Sequence, residues 1–199
     1  ALVDRYHPDL LSVEELTPRF NRELAAAGLG SRLPHSVVEI HPSSAGAGLF
    51  THLALRKLPS PERFAFRMPR AQLTLPDGRS LRVVGVHPYP PQPNQTSEWE
   101  EALASLPSGG RGAPWVLAGD FNGTFDQSQF RGVVDRGYRD AGEVAGKGLE
   151  PTFPSGGHLI PPVTIDHVLA DRRLGIVSYT VAGIPGSDHR AVEAELVLP

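Results

Sequence analysis

Asp120 and Asn122 stand just after a short apolar run, residues 115–118. A run of that length reads as a strand buried on both faces. Gly119, which ends the run just before Asp120, lets the backbone pass close to a neighbour. In extended geometry residues two apart point the same way, so this carboxylate and amide can share one cation or one phosphate oxygen. A plain turn is the competing reading, because Gly, Asp and Asn all favour turns. Other polar residues occupy comparable strand ends: Glu15 after residues 9–13, His87 after residues 81–86, Asp166 within residues 163–169, and Asp188 with His189 in the turn 186–190. Carboxylate and amide oxygens suit a hard cation, Mg²⁺ or Mn²⁺, rather than zinc. Two histidines offer proton transfer or charge stabilisation near neutral pH. The mixture fits metal-assisted hydrolysis of a phosphate ester. Bland alternatives stay open: Glu14 and Glu15 as solvated charges at a helix start, and His87 as a structural histidine. His35, His41 and His52 show no ligand spacing and read as surface or packing residues.

The elements that must position these groups follow from pattern. Thr17-Pro18 starts a helix as N-cap and first helical residue, with Phe20, Leu24 and Ala27 on one face and Gly28 as its stop. Residues 49–55 read as a strand. Residues 64–75 and 81–86 form an antiparallel pair around Pro76-Asp77-Gly78-Arg79. The stiff loop Pro88-Tyr89-Pro90-Pro91 then holds His87 and Tyr89. A helix runs through Trp99, Ala102, Leu103 and Leu106, and Asp126 caps another with Phe130, Val133 and Val134 inward. In strand 163–169, Ile165, His167 and Leu169 share one face while Thr164, Asp166 and Val168 share the other. Asp166 thus lies among apolar residues and needs a partner, since an unpaired buried carboxylate is costly; a histidine would serve. Residues 176–181 and the stretch from Val192 to Leu198 complete the strands. Many short strands with a few interposed helices predict an α+β sandwich, sheet packed on sheet with helices outside.

Composition sets the bounds. The chain has 199 residues, which suits one domain with a sizeable core. A formal charge of −3 provides no global basic field for nucleic acid. The basic residues Arg19, Arg22, Arg56, Lys57, Arg63, Arg67, Arg70, Arg172 and Arg173 are scattered, and those between 56 and 70 come nearest to a patch. There are no cysteines, hence no disulfide frame and no thiolate chemistry. No apolar run approaches the ~20 residues of a membrane span. Residues 1–6 read as the last turns of a helix, so the chain enters a fold already under way and an upstream portion is expected.

Gly119-Asp120-Phe121-Asn122, Ile165-Asp166-His167-Val168-Leu169 and Ser187-Asp188-His189-Arg190, in this order, resemble the endonuclease/exonuclease/phosphatase superfamily. The resemblance spans residues 8–190. It implies a four-layer α/β sandwich of deoxyribonuclease I type, with two mainly antiparallel sheets between outer helices. Pro8-Asp9-Leu10-Leu11-Ser12-Val13-Glu14-Glu15-Leu16 resembles the family strand ending in Gln-Glu. That match implies Glu15 as a metal ligand, with Glu14 where Gln is usual. Val84-Gly85-Val86-His87 resembles the strand that ends in a catalytic histidine.

The implied roles are these. Asp120 orients or deprotonates the attacking water and Asn122 holds that water or the phosphate, both close to the metal. His87 contacts the phosphate. Asp188 sits near a metal, His189 stabilises charge on phosphorus, and Asp166 orients and charges His189. The family opens with a strand ending in a metal-binding asparagine, and none precedes residue 8, so the fold is expected to lack that strand here.

Gly137-Tyr138-Arg139-Asp140-Ala141-Gly142 and Pro151-Thr152-Phe153-Pro154 look like a bacterial, membrane-anchored, teicoplanin-resistance-type subgroup acting on polyprenyl pyrophosphate lipids. That likeness implies a phosphoesterase on the outer face of a membrane, anchored by an upstream segment; the chain is expected to be a monomer. Its substrate would be a phosphorylated lipid or small molecule. Alternatives are a nuclease of the same fold, a cytoplasmic location, and a non-catalytic binding domain. The stiff, partly apolar loops 88–91 and 158–162 at the site mouth favour a lipid phosphate over a long polyanion.

Overall fold

The structure is a computed structural model that describes residues 2–93, 96–156 and 161–198. Helix α1 (Leu2–Tyr6) leads into strand β1 (Leu10–Glu14), followed by helices α2 (Pro18–Ala26) and α3 (Leu29–Arg32). Strands β2 (His35–Glu39), β3 (Ala47–Thr51), β4 (Ala54–Leu58), β5 (Arg70–Thr74) and β6 (Ser80–Val86) come next. Helix α4 (Ser97–Ala104) precedes β7 (Trp115–Asp120), and α5 (Ser128–Val134), β8 (Tyr138–Asp140) and α6 (Ala141–Val144) precede β9 (Asp166–Asp171). The chain closes with β10 (Gly175–Gly183) and β11 (Arg190–Val197).

A six-stranded sheet runs in the order β4-β5-β6-β7-β9-β8. Its β6–β7 pair is parallel, which requires a crossover, and α4 supplies it. This pair decides where the site falls. It sets the C-terminal ends of β6 and β7 side by side, Val86 opposite Gly119. Antiparallel β9 then starts at the same sheet end, with Asp166 opposite Asp120.

A three-stranded sheet, β1-β3-β2, and the β10–β11 hairpin cover the other face. Between the sheets lies one apolar core, with Val37 and Leu49 on one side, Leu73, Val83, Val116 and Val168 on the other, and Tyr179 from β10. A second core packs α4 and α5 onto the outer face of the six-stranded sheet through Trp99, Leu103, Phe130 and Val133 against Leu117 and Leu169. A third sets Leu29, Leu33 and Leu24 on Leu16 and Phe50. Helices, sheet, sheet, helices is the four-layer order expected.

Several boundaries differ from the pattern reading. The strand expected over 49–55 is two strands in different sheets. Thr51 accepts from the Leu53 N–H at 3.0 Å and its hydroxyl donates to the Asp9 carbonyl, a turn that carries the chain between layers. Residues 64–69 are not strand; Phe64 and Met68 reach the helix-side core from a loop. Thr17 caps α2 as expected, accepting from Phe20 N at 3.1 Å, but Phe20 stays 37 % exposed and only Leu24 of the proposed face packs inward. Gln127, not Asp126, is the N-cap of α5.

Candidate active site

Asp120 ends β7 and Asp166 begins β9, paired across the ladder with their side chains on the inter-sheet face. His189, in the turn joining β10 to β11, donates from Nδ1 to Asp166 Oδ2 at 2.9 Å. One ligand atom each of Asp120, Asp166 and His189 lies within 4.8 Å of the others. From the facing sheet β1 adds Ser12, whose hydroxyl donates to Glu14 Oε1 at 2.7 Å. Two glycines make this approach possible. A Cβ on Gly119, which has φ +139, would stand 2.6 Å from Glu14 Oε1 and 2.3 Å from the Val86 carbonyl, and one on Gly85 would stand 2.9 Å from Ser12 Oγ.

The surrounding loops are tied to one another. Asn122 has φ 47, in the left-handed region, and its N–H donates to Asp120 Oδ1 at 2.7 Å. Its Nδ2 donates to the Pro88 carbonyl at 3.1 Å, which joins this turn to the loop after His87. Buried His167 bridges Asp140 Oδ2 at 2.9 Å and the Gly123 carbonyl at 3.0 Å. Thr152 Oγ1 accepts from Ile165 N and Asp166 N, both at 3.1 Å, and so pins the start of β9. Ser155 holds the 187–189 turn through the Ser187 and Asp188 carbonyls, and the Phe153 ring lies 4.7 Å from that of His189.

Burial pushes the Asp120 carboxyl well above the usual carboxylate range, and the Asp166 charge adds to it. Burial likewise pushes Glu14 up to about 7, against the opposing pull of the Ser12 hydroxyl. Burial works against the His189 cation, yet the hydrogen bond and charge of Asp166 outweigh it and raise the imidazole to about 9. His87 is pushed down to about 4 by burial, then by the His189 cation. The two histidines are thus driven to opposite protonation states beside carboxyls that hold their protons, a pattern typical of functional sites.

Of the residues singled out in the sequence, Asp120, Asp166 and His189 come together. His87 is buried at the end of β6, its ring edge-on to Phe66 at 4.9 Å, and its Nδ1 has no partner. Asn122 adjoins Asp120, but as a left-handed turn residue rather than in the extended geometry expected. Asp188 is exposed; its carbonyl accepts from Ser155 N, and its charge adds to that around His189. The proposed ligand Glu15 is displaced from the cluster. It lies just past β1, exposed, with φ 54, and Glu14 takes the inward position. Successive strand residues face opposite ways, and Ser12 and Glu14 share the face that meets β6 and β7. Ser12, Glu14, Thr152 and His167 were not singled out as site residues. Period-two alternation back from Glu14 could have found Ser12, and the Thr-Phe-Pro run flagged Thr152 without giving it a role.

The donor set fits a hard divalent cation. Asp120 and Asp166 bring carboxylate oxygens together and Glu14 adds its charge to theirs; Glu14 and Asp120 hold protons more tightly than usual, a cost that a cation beside them would remove. His189 as a cation has no lone pair to offer, so the carboxylates would be the part that holds a metal and His189 would remain a donor.

Fold and cluster together define a four-layer sandwich with a carboxylate–histidine centre at one end of its central strands. Residues 1–189 match the Endonuclease/Exonuclease/phosphatase family, and the chain belongs to it. Among similar solved structures, the endonuclease/exonuclease/phosphatase of Beutenbergia cavernae DSM 12333 has a TM-score of 0.67 at 18 % identity over 99 % of this chain and 64 % of that one. The chain therefore spans less than two thirds of that protein. The endonuclease/exonuclease/phosphatase of Bacteroides vulgatus has a TM-score of 0.72 at 16 % identity, covering 100 % of this chain and 88 % of that one. The D. rerio TDP2 complexed with single-strand DNA product has 0.72 at 17 %, covering 98 % and 88 %. At these identities the likeness is one of fold. No curated protein matches the chain.

Proposed function

We propose that the chain is a divalent-metal-dependent phosphoesterase, Mg²⁺ or Mn²⁺ being the fitting ions, acting on a phosphate ester or pyrophosphate of a lipid or small molecule. The observation that carries this reading is the His189–Asp166 pair set against the Asp120 carboxylate. Asp166 occupies Nδ1 of His189, so Nε2–H is the donor left for the oxygens on phosphorus, and the imidazolium stabilises the charge that builds there. Asp120 keeps Oδ1 on the Asn122 N–H and has Oδ2 left to orient or deprotonate the attacking water. His87, neutral and with an unpartnered buried nitrogen, suits contact with the phosphoryl group. Glu14 and Asp120 would hold the cation, with Asn122 and Asp188 at its outer side. The ion would supply charge neutralisation and a more acidic water.

A lipid or small-molecule phosphate is favoured by the stiff aromatic wall beside His87, where Phe66 also meets Tyr89 at 5.3 Å. The other mouth loop, 158–162, lies mostly outside the described residues. Action as a monomer at the outer face of a bacterial membrane is part of the proposal, the location resting on the subgroup resemblance. Among the described residues no helix is long and apolar enough to cross a membrane. Nucleic-acid cleavage is the second reading, favoured by the likeness to TDP2 captured with single-strand DNA product.

The test compares kcat/KM for a phosphorylated lipid and for single-stranded DNA in one Mg²⁺ buffer at physiological salt. A lipid preference that excess chelator abolishes is expected. A preference for DNA with steep salt dependence would promote the nuclease, and no turnover of any phosphoester would leave the non-catalytic binding domain.

A further inference from the structure

A second group of charges lies at the opposite end of the same strands. Arg56 on β4, Gln72 on β5, Arg82 on β6 and Trp115 on β7 stand directly opposite one another across four adjacent strands. Trp115 belongs to the helix-side core, so this row is on the outer face, away from the inter-sheet face that carries Asp120. Arg70, two residues before Gln72, shares the face. Four residues separate Arg82 from the end of β6, about 13 Å at the usual rise per residue. These side chains line an open cavity of about 270 Å³ in which no lining residue is acidic.

Five other cations have carboxylate partners: Arg19 with Glu23, Arg32 with Asp4, Lys57 with Glu39, Arg79 with Asp77 and Arg173 with Asp171. Among the described residues Arg56, Arg70 and Arg82 have none. Arg56 Nη2 donates to Gln72 Oε1 at 3.1 Å, and Arg82 lies over the Trp115 ring at 5.5 Å without a side-chain hydrogen bond. Arg70 gives Nη2 to the Ser105 carbonyl at 3.0 Å, while its Nε is buried with no acceptor. A buried donor left unmade is costly, and burial pushes the Arg70 guanidinium below its usual range.

We propose that this face is an anion site, separate from the catalytic cluster, that binds a compact phosphate-bearing group of diphosphate size. Planar guanidiniums match phosphate oxygens two at a time, and three of them offset the charge of two linked phosphoryl groups. Gln72 adds an amide, and Trp115 with the Arg82 stem makes a rigid floor. The site does not depend on the catalytic reading. Its ligand can arrive as a free anion or as a lipid headgroup.

Sodium pyrophosphate is titrated calorimetrically into protein in resin-treated, metal-free buffer, where the carboxylate cluster has no ion with which to hold phosphate. A flotation arm compares vesicles of phosphatidic acid in phosphatidylcholine with phosphatidylcholine alone. Variants are Arg56→Gln, Arg82→Gln, their double, and His189→Ala. Arg56 and Arg82 make no side-chain bond to the backbone, and matching thermal melts check that the double variant is folded. Pyrophosphate should bind once per chain, quench Trp115 fluorescence, weaken at least ~10-fold with each Arg change, and persist in His189→Ala. Vesicle binding alone, lost in the double variant, would support the same site with a lipid headgroup as ligand. Binding to neither probe, binding intact in the double variant, or binding abolished by His189→Ala overturns the proposal.

Discussion

Replacing Glu14 by Gln should make the metal-free protein more stable, and more so at alkaline pH. Glu14 is half-buried, lies against Gly119 and shares its surroundings with Asp120 and Asp166; desolvation pushes its carboxyl up from 4.5 to about 7. A carboxyl whose folded-state value is raised favours the folded state while protonated and penalises it once ionised. The penalty is absent below the unfolded value, grows between about 4.5 and 7, and is complete above that. With 1.36 kcal/mol per unit, it is about 1 kcal/mol at pH 5 and about 3 kcal/mol at pH 8. Gln keeps an acceptor for the Ser12 hydroxyl and removes the charge. A domain of this size gains ~2–4 °C per kcal/mol, so Glu14→Gln should raise Tm by roughly 5–10 °C more at pH 8 than at pH 5. Thermal unfolding in chelator, followed by circular dichroism, measures it. Glu15→Gln is the internal comparison, since Glu15 is exposed and should leave Tm nearly unchanged at both pH values. An equal shift at both pH values for Glu14→Gln, or the pH-dependent gain in Glu15→Gln instead, would refute the assignment of the inward carboxylate.

Asp166→Asn and His189→Ala should each lower kcat at least ~10²-fold, and the double variant should fall far short of the product, because groups acting as a unit are not additive; fully multiplicative losses would separate them. The His189 cation, raised to about 9, contributes stability below its unfolded value near 6.5 and loses it as pH rises through about 9, so in chelator the Tm difference between wild type and His189→Ala should shrink over that interval. Millimolar Mg²⁺ or Mn²⁺ should raise Tm more at pH 8 than at pH 5.5, where protons on Glu14 and Asp120 compete with the ion. Gly119→Ala should cost about 1–3 kcal/mol in urea titrations through overlap with Val86 and Glu14, whereas Gly132→Ala, on an open helix face, should be neutral or stabilising.

Much of the layout was readable because the elements carry strong local signals. Apolar run 115–118, the Pro-Asp-Gly-Arg turn and the alternation around Asp166 each specify a strand or hairpin without tertiary help. The isolation of Asp166 among apolar neighbours demanded a partner, and His189 stands there at 2.9 Å. Choosing between Glu14 and Glu15 was beyond such reasoning. Two identical neighbours differ only in which face of β1 they take, and a one-residue change of register exchanges them. Asn122 misled for a related reason: its spacing from Asp120 suggests one face of an extended strand, but the ladder ends at Asp120 and the chain turns left-handed. Residues 41–46 and 59–63 carry no periodic pattern and 64–69 read as strand but form a loop, because tertiary contacts shape them; a Cβ on Gly46 would lie 2.3 Å from the Leu16 carbonyl. The row of Arg56, Gln72, Arg82 and Trp115 needs three strand registers before it exists, so its members look scattered in the sequence.

The site draws Ser12 and Glu14 from the first strand, His87 and Asp120 from the parallel pair, Asp166 from β9 and His189 from the final hairpin. Among the described residues no hairpin supplies two of these side chains from different strands, so no local folding unit assembles the cluster. Long-range pairings carry the largest loop-closure entropy and form slowly. The chemistry is therefore a late property of the folding reaction: hairpins such as β5–β6 can acquire native structure early, while the cluster exists only after β1 has docked on Gly85 and Gly119. Under the proposed function, activity would report completion of the whole topology, and an intermediate with near-native secondary structure would be inert.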